Sequence, residues 1–189
     1  RRIMLGITEL KNGTKFIFEG EPFSVLKYEQ SKMGRGGSIV KVRIQNLKTG
    51  AVFTKTFQGA EKLLPADLSK TRATFLYLDS DVANFMDLTS YEQFSIPTVQ
   101  IGDQKYYLKE GAEVDILNFQ NEAINIELPI KMDFLVVEAP PAVRGNSAGT
   151  VTKKVKLETG TEVDTPLFVK EGDIIVVDTR DGSYVERKS

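Results

Sequence analysis

Apolar and polar residues alternate in short runs along this chain, and turn residues separate the runs. Over residues 39–45, Val40, Val42 and Ile44 fall on one face and Lys41 and Arg43 on the other, the period-two pattern of a strand with one packed and one charged side. Residues 3–10 and 14–19 read as strands joined by Lys11-Asn12-Gly13, where Asn-Gly favours a tight turn, and Gly20-Glu21-Pro22 turns the chain into a third strand over 23–28. Lys48-Thr49-Gly50 turns it again into a strand over 51–57. Short strands succeeding one another over about 60 residues, without a helical period, predict a small β-barrel.

Pro65 and the polar stretch 67–70 end this unit. Beyond them, 72–79 and 82–87 read as strands around Ser80-Asp81, 88–94 as a short helical or 3₁₀ segment ended by Pro97, and 106–108, 113–119 and 123–128 as further strands. Pro129 opens a third unit, in which 132–138 is a strand stopped by Ala139-Pro140-Pro141, 144–150 is a loop, and 155–157, 161–165, 174–179 and 184–187 supply the remaining strands. Lys109-Glu110-Gly111 recurs as Lys170-Glu171-Gly172, 61 residues later, each time followed by two strands around a short turn. An echo at the length of a unit predicts that the second and third units share one fold, of the OB type. The expectation is an all-β chain of three small barrels in series, 1–64, 65–128 and 129–189.

Composition narrows the chemistry. The 189 residues include no Cys, His or Trp, which removes disulfides, thiol nucleophiles, histidine metal sites and every Ser-His-Asp arrangement. Asp79, Asp81 and Asp87 lack the glycine and closing glutamate of a calcium loop, so no metal and no cofactor is expected. An enzyme using Asp79 with Asp87, or Asp173 with Asp178, as acid and base is the catalytic alternative, but nothing in the sequence fixes their separation or supplies a pocket. No apolar run reaches the roughly 18 residues of a membrane span, and Arg1-Arg2 leads into no signal-like segment, so the reading is soluble, cytoplasmic and free of membrane contact. Arg1 as first residue implies that an initiating Met, with a few further residues, precedes the numbered chain.

The formal charge of −1 hides an asymmetry: residues 1–64 hold 12 Lys+Arg against 5 Asp+Glu, a net of +7, and the remainder is correspondingly acidic. The basic part contains Ser31-Lys32-Met33-Gly34-Arg35-Gly36-Gly37-Ser38, between two predicted strands. Three glycines let the loop turn sharply and hold the Arg35 side chain clear of the body. Read alone, this is either a plain glycine-rich hairpin with a solvated arginine or a tip that touches phosphate. A net-positive unit around it is the footprint of a polyanion such as RNA, and a general RNA-binding module of such barrels accounts for it as well.

The chain as a whole resembles the bacterial translation elongation factor P family. The tip is similar to that family's Lys-Pro-Gly-Lys-Gly loop, here Lys32-Met33-Gly34-Arg35-Gly36, and is followed by Asn46-Leu47-Lys48-Thr49-Gly50 and Lys55-Thr56-Phe57. The second unit carries Phe75-Leu76-Tyr77, Asp79, Phe85-Met86-Asp87 and Tyr91-Glu92-Gln93 at matching spacing. The third carries Leu157-Glu158-Thr159-Gly160, Gly172-Asp173 and Val177-Asp178-Thr179-Arg180 with Gly182 and Tyr184.

The resemblance implies a KOW or SH3-like barrel followed by two OB barrels, in an elongated, tRNA-like shape. It implies a monomeric, non-enzymatic factor that enters the 70S ribosome between the peptidyl and exit sites, contacts initiator or prolyl tRNA and relieves stalls at consecutive prolines. Arg35, Lys32, Gly34, Gly36 and Gly37 then form the tip directed at the peptidyl-tRNA, Lys41 and Arg43 a supporting basic surface, and Arg144, Asn146 and Ser147 contacts of the third unit with RNA. The family's usual modifiable lysine is Arg35 here, which excludes a lysine-directed modification. The arginine-bearing branch of the family is glycosylated with rhamnose, which makes Arg35 a candidate modification site and an arginine-modifying glycosyltransferase a candidate partner, although the flanking residues differ from that branch. Met33 stands in place of the usual proline, Gly145-Asn146-Ser147 in place of Gly-Asp-Thr, and Lys154-Val155 in place of Pro-Ala. The last two departures weaken the contacts implied for the third unit with small-subunit RNA or the tRNA anticodon arm.

Overall fold

The computed structural model describes residues 3–33, 37–141 and 151–188. Its first sheet holds β1 (Leu5–Gly6), β2 (Lys15–Phe18), β3 (Glu21–Met33), β4 (Gly37–Asn46), β5 (Val52–Gln58) and β6 (Lys62–Pro65), all antiparallel, in the order β1-β6-β2-β3-β4-β5. Phe16, Phe23, Val25, Val40, Val42, Ile44 and Phe57 fill its core, with the rings of Phe16 and Phe57 meeting edge to face at 6.2 Å. The strand expected over 3–10 is cut short after Gly6. The Glu9 carboxylate accepts the Gly6 amide at 2.6 Å and winds Ile7–Glu9 into a 3₁₀ turn that drives Ile7 and Leu10 into the core. Strand β6 was not expected, because a four-residue run ending in proline carries no alternation; it forms by pairing Leu63 with Leu5 and Leu64 with Ile17.

In the second sheet, β7 (Ser69–Asp79), β8 (Val82–Asp87), β9 (Gln93–Pro97), β10 (Glu113–Phe119) and β11 (Glu122–Glu127) run in the order β11-β10-β7-β8-β9. Two local expectations fail here. Residues 88–92 are a turn rather than a helical segment, since the Asp87 carboxylate accepts the amides of Thr89 and Ser90 at 2.7 and 2.8 Å. The helical residues lie after Pro97, as one α-turn Thr98–Ile101 running into a 3₁₀ segment Gly102–Tyr107, so 106–108 is not a strand. Proline suits the entry to a helix, where a missing N–H costs nothing, as well as its end.

The third sheet repeats the second. Its strands β12 (Lys131–Glu138), β13 (Thr152–Leu157), β14 (Glu162–Pro166), β15 (Ile174–Asp178) and β16 (Ser183–Arg187) run β14-β13-β12-β15-β16, the same order once β7 is matched to β12. Phe75 exchanges backbone hydrogen bonds of 2.9 Å with Gly111 and Ala112, and Val136 does the same with Gly172 and Asp173, each partner 61 residues on. Both first strands also carry a bulge at the matching place, between Phe75 and Tyr77 and between Val136 and Glu138. In each sheet the last strand bends round toward the third, β11 toward β9 and β16 toward β14, so both curl into barrels around their own cores. The chain is therefore all-β, with three sheet domains.

Candidate nucleic-acid interface

Strands β3 and β4 form the longest hairpin of the molecule, paired from Phe23 with Asn46 out to Met33 with Gly37. A bulge at Leu26 shifts the register, so that Tyr28 continues the packed face set by Phe23 and Val25 while Lys27 and Glu29 turn outward. On β4 the predicted division holds: Val40, Val42 and Ile44 are fully buried, and Lys41 and Arg43 are exposed on the other side. Neighbouring strands bring Lys27, Glu29 and Thr54 beside them, and the five residues line one shallow concavity.

Charge on this face is unevenly neutralised. Lys27 Nζ lies 2.7 Å from Glu29, and the hydrogen bond and charge of Lys27, helped by Lys41, hold the Glu29 carboxyl below its usual range. Among the described residues, Lys41 and Arg43 have no ion-pair partner. The face thus offers two free cations and one that is already matched. Lys27 and Thr54 escaped the sequence reading because their membership depends on a bulge and on cross-strand register.

Of the tip, Lys32 pairs through its backbone with Ser38, and Gly37 pairs with Met33 at φ +87°. Gly34, Arg35 and Gly36 lie outside the described residues, as do Arg144, Asn146 and Ser147. Three of the four carboxylates weighed as acid and base, Asp87, Asp173 and Asp178, are occupied in turns. Asp87 caps its turn; Asp173 accepts the Lys170 amide at 2.8 Å and lies 3.4 Å from Arg187; Asp178 takes a two-pronged contact from Arg180. These hydrogen bonds hold all three carboxyls below the usual range, the ionised state of a structural acceptor. Among the described residues, no group of three or more acidic side chains converges as a metal site, and no helix is long and apolar enough to cross a membrane.

Several motifs noted in the sequence prove to be joints between barrels. Asn46 accepts the amides of Lys48 and Thr49 at 2.8 and 3.1 Å, shaping the turn that carries Leu47 and Gly50 against the second barrel. Thr179 donates its hydroxyl to the Pro129 carbonyl at 2.7 Å, tying the final hairpin to the connection that precedes the third barrel. The Thr161 hydroxyl donates to the Tyr106 carbonyl at 2.8 Å, Lys109 lies 2.9 Å from Glu158, and the Tyr107 ring meets Phe134 at 6.1 Å.

Comparison with known proteins agrees with this architecture unit by unit. The model of the elongation factor P KOW-like domain matches residues 7–63, that of the elongation factor P OB domain 68–126, and that of the elongation factor P C-terminal domain 132–187. Elongation factor P of Endomicrobium trichonymphae is 39% identical over 184 residues, which is 97% of this chain and 100% of that protein. Elongation factor P of Mycoplasma mobile is 42% identical over 182 residues, 96% of this chain and 97% of that one. Among solved structures, a eukaryotic translation initiation factor 5A from Methanococcus jannaschii aligns over 66% of this chain and 90% of its own, at 21% identity and a TM-score of 0.45. Three family models in unbroken order, and relatives matched from end to end, make this chain a member of the elongation factor P family, a translation elongation factor rather than a conventional enzyme.

Proposed function

We propose that the protein acts on the ribosome between the peptidyl and exit sites, where it stimulates peptide-bond formation and relieves stalls at consecutive prolines. Its partners are the 70S ribosome and a peptidyl-tRNA of the initiator or prolyl kind, and it works as a monomer. The observation that carries this reading is the β3–β4 hairpin, packed along one face and bearing the unpaired cations Lys41 and Arg43 on the other, with Lys32 and Gly37 at its far end. Such an arm suits a groove walled by phosphates.

On this reading Gly34, Arg35, Gly36 and Gly37 with Lys32 form the tip that orders the CCA end of the tRNA. Ordering a reactant lowers the entropic part of a barrier that belongs to the ribosome, so the protein needs no active site of its own. Arg35 presents a planar fork of donors for phosphate or ribose oxygens, or carries a sugar attached by an arginine-directed glycosyltransferase. The units 1–64, 65–128 and 129–189 act as the domains, and Arg144, Asn146 and Ser147 of the third contact RNA of the small subunit.

The test is a reconstituted translation assay on a Pro-Pro-Pro reporter with a proline-free message as control. Arg35→Ala abolishes the stimulation, and Arg35→Lys fails if the fork or its modification matters but works if charge suffices. Full stimulation by Arg35→Ala would refute the role of the tip. An intact mass of protein from its native host, carrying a hexose-like addition on Arg35, decides the modification.

A further inference from the structure

The end of β4 opposite the tip is tied to the second barrel by a cluster of buried and half-buried polar contacts. Asn125, on β11, is fully buried. Its Nδ2 donates across the border to the Leu47 carbonyl at 3.1 Å and, within its own barrel, to the Gln100 carbonyl at 2.6 Å, while its Oδ1 accepts the Ile126 amide at 2.8 Å. Gln45, on β4 itself, donates to the same Gln100 carbonyl at 3.2 Å. Around this knot Leu47 packs with Leu117, Ile124, Leu68 and Phe119. Gly50 sits at φ +79° with the Val99 backbone so close that a Cβ there would collide with the Val99 carbonyl oxygen.

An apolar patch alone tolerates sliding and tilting. Directional hydrogen bonds from a buried amide do not, because every donor displaced from its carbonyl is left unpaired away from water. The consequence is mechanical. Strand β4 runs 10 residues from the joint to Gly37; that is roughly 33 Å at about 3.3 Å per residue, so a tilt of ~10° at the joint swings the far end by roughly 6 Å.

We propose that this joint, keyed by Asn125 and fitted against Gly50, is a rigid positioning element that fixes where the end of the hairpin stands relative to the rest of the protein. Asn125 and Gly50 are positioning residues for the factor's action, an inference that rests on the reading of the hairpin's end as the working tip. A displacement of the size just estimated is more than the fit of a near-attack geometry tolerates, where an error of about 1 Å can cost about a hundredfold.

The chain contains no cysteine, so Ala60→Cys and Ser95→Cys, both at exposed positions of the first and second barrels, accept a pair of nitroxide labels without background. Pulsed dipolar spectroscopy on the full-length labelled protein gives one narrow distance peak for the parent chain. Gly50→Ala, which acts from a surface turn, and Asn125→Ala, which acts from the core, each broaden or shift that peak. Both lower stimulation of the Pro-Pro-Pro reporter at saturating factor by about ten- to a hundredfold, while binding to ribosomes weakens little. Gly20→Ala is the control, since Gly20 has the same left-handed backbone at φ +82° but open space around it; it leaves peak and activity as they are. An unchanged peak in both joint variants, or a broadened peak with full stimulation, overturns the inference. A parent protein inert on the reporter overturns the ribosomal reading instead, and the distances, measured without ribosomes, judge the joint separately.

Discussion

Salt dependence offers a quantitative test of the outer face of the hairpin. Each phosphate contact made by a lysine or arginine releases condensed counterions, so it contributes about 0.7 to 0.9 to the slope of log affinity against log salt. Lys41 and Arg43 are exposed and unpaired among the described residues, so the double change to alanine removes two such contacts and makes the slope shallower by about 1.4 to 1.8. Over a fourfold rise in salt, the parent protein then loses roughly tenfold more affinity than the variant. Glu29→Gln works in the opposite direction. It frees Lys27, now matched at 2.7 Å, and steepens the slope by about 0.7 to 0.9. Fluorescence titration of the labelled factor against 70S ribosomes carrying peptidyl-tRNA, in a potassium series at fixed magnesium, reads both changes. The Lys41 and Arg43 changes leave stability within about 0.5 kcal/mol, as at ordinary surface sites, so thermal unfolding serves as the control. A double variant with the parent slope would show that this face does not meet phosphate, and an unmoved slope in Glu29→Gln would place Lys27 out of its reach.

Two further outcomes concern a joint and a turn. Glu127 is partly buried where the first two barrels meet; burial acts to raise its pKa, but the nearby ammonium groups of Lys15 and Lys70 prevail and bring it below the ordinary glutamate value of 4.5. A carboxyl with a depressed folded-state pKa contributes stability that is fully present above its unfolded pKa and is lost as the pH falls through the folded value. Glu127→Gln is therefore less stable than the parent near neutrality, and denaturant melts at stepped pH show the gap closing below about pH 4; a gap independent of pH would refute the ion pairs as its source. Asp178→Ala removes the acceptor of the Arg180 amide and guanidinium and costs about 1 to 3 kcal/mol in chemical unfolding, whereas an unchanged midpoint would mean that the turn holds without its cap.

What the sequence made legible was periodic or repeated. The strand through Val40, Val42 and Ile44 could be seen because alternation and burial coincide there, and the shared fold of the last two barrels because Lys-Glu-Gly fixes the same backbone exchange twice. Pro97 misled, since a proline after an ambiguous run marks an end or a beginning equally well, and only tertiary packing decides. The joints were invisible in a different way. Nothing local in the sequence reports that the Gln45 amide meets the Gln100 carbonyl, or the Asn125 amide the Leu47 carbonyl, across a border. Asn46-Leu47-Lys48-Thr49-Gly50 stood out as a resemblance before its geometry explained it. At the tip, Gly34 to Gly36 lie outside the described residues, so Arg35 stands on the sequence and the family.

The short helical connection after Pro97 has a bearing on how such factors can be recombined. Its first residues face the opening barrel, through the Val99 and Gln100 carbonyls, and its last face the closing barrel, through the Tyr106 carbonyl and the Tyr107 ring lying against Gly182. In the third barrel the matching span, between β14 and β15, holds no assigned helix. The middle unit is thus the mating part for both neighbours, cut to fit each. A hybrid spliced at the connecting residues 66–68 or 128–130 would leave the core inside each barrel in one piece, yet a splice at 66–68 would split the cluster of Leu47 with Leu117 and Ile124, and either would bring together surfaces shaped for other partners. A hybrid that transfers residues 98–107 together with the turn around Gly50 and the one around Gly182 would carry its fittings with it. Parts of this protein are exchangeable as matched sets of contacts, and the boundaries of those sets do not coincide with the boundaries of its sheets.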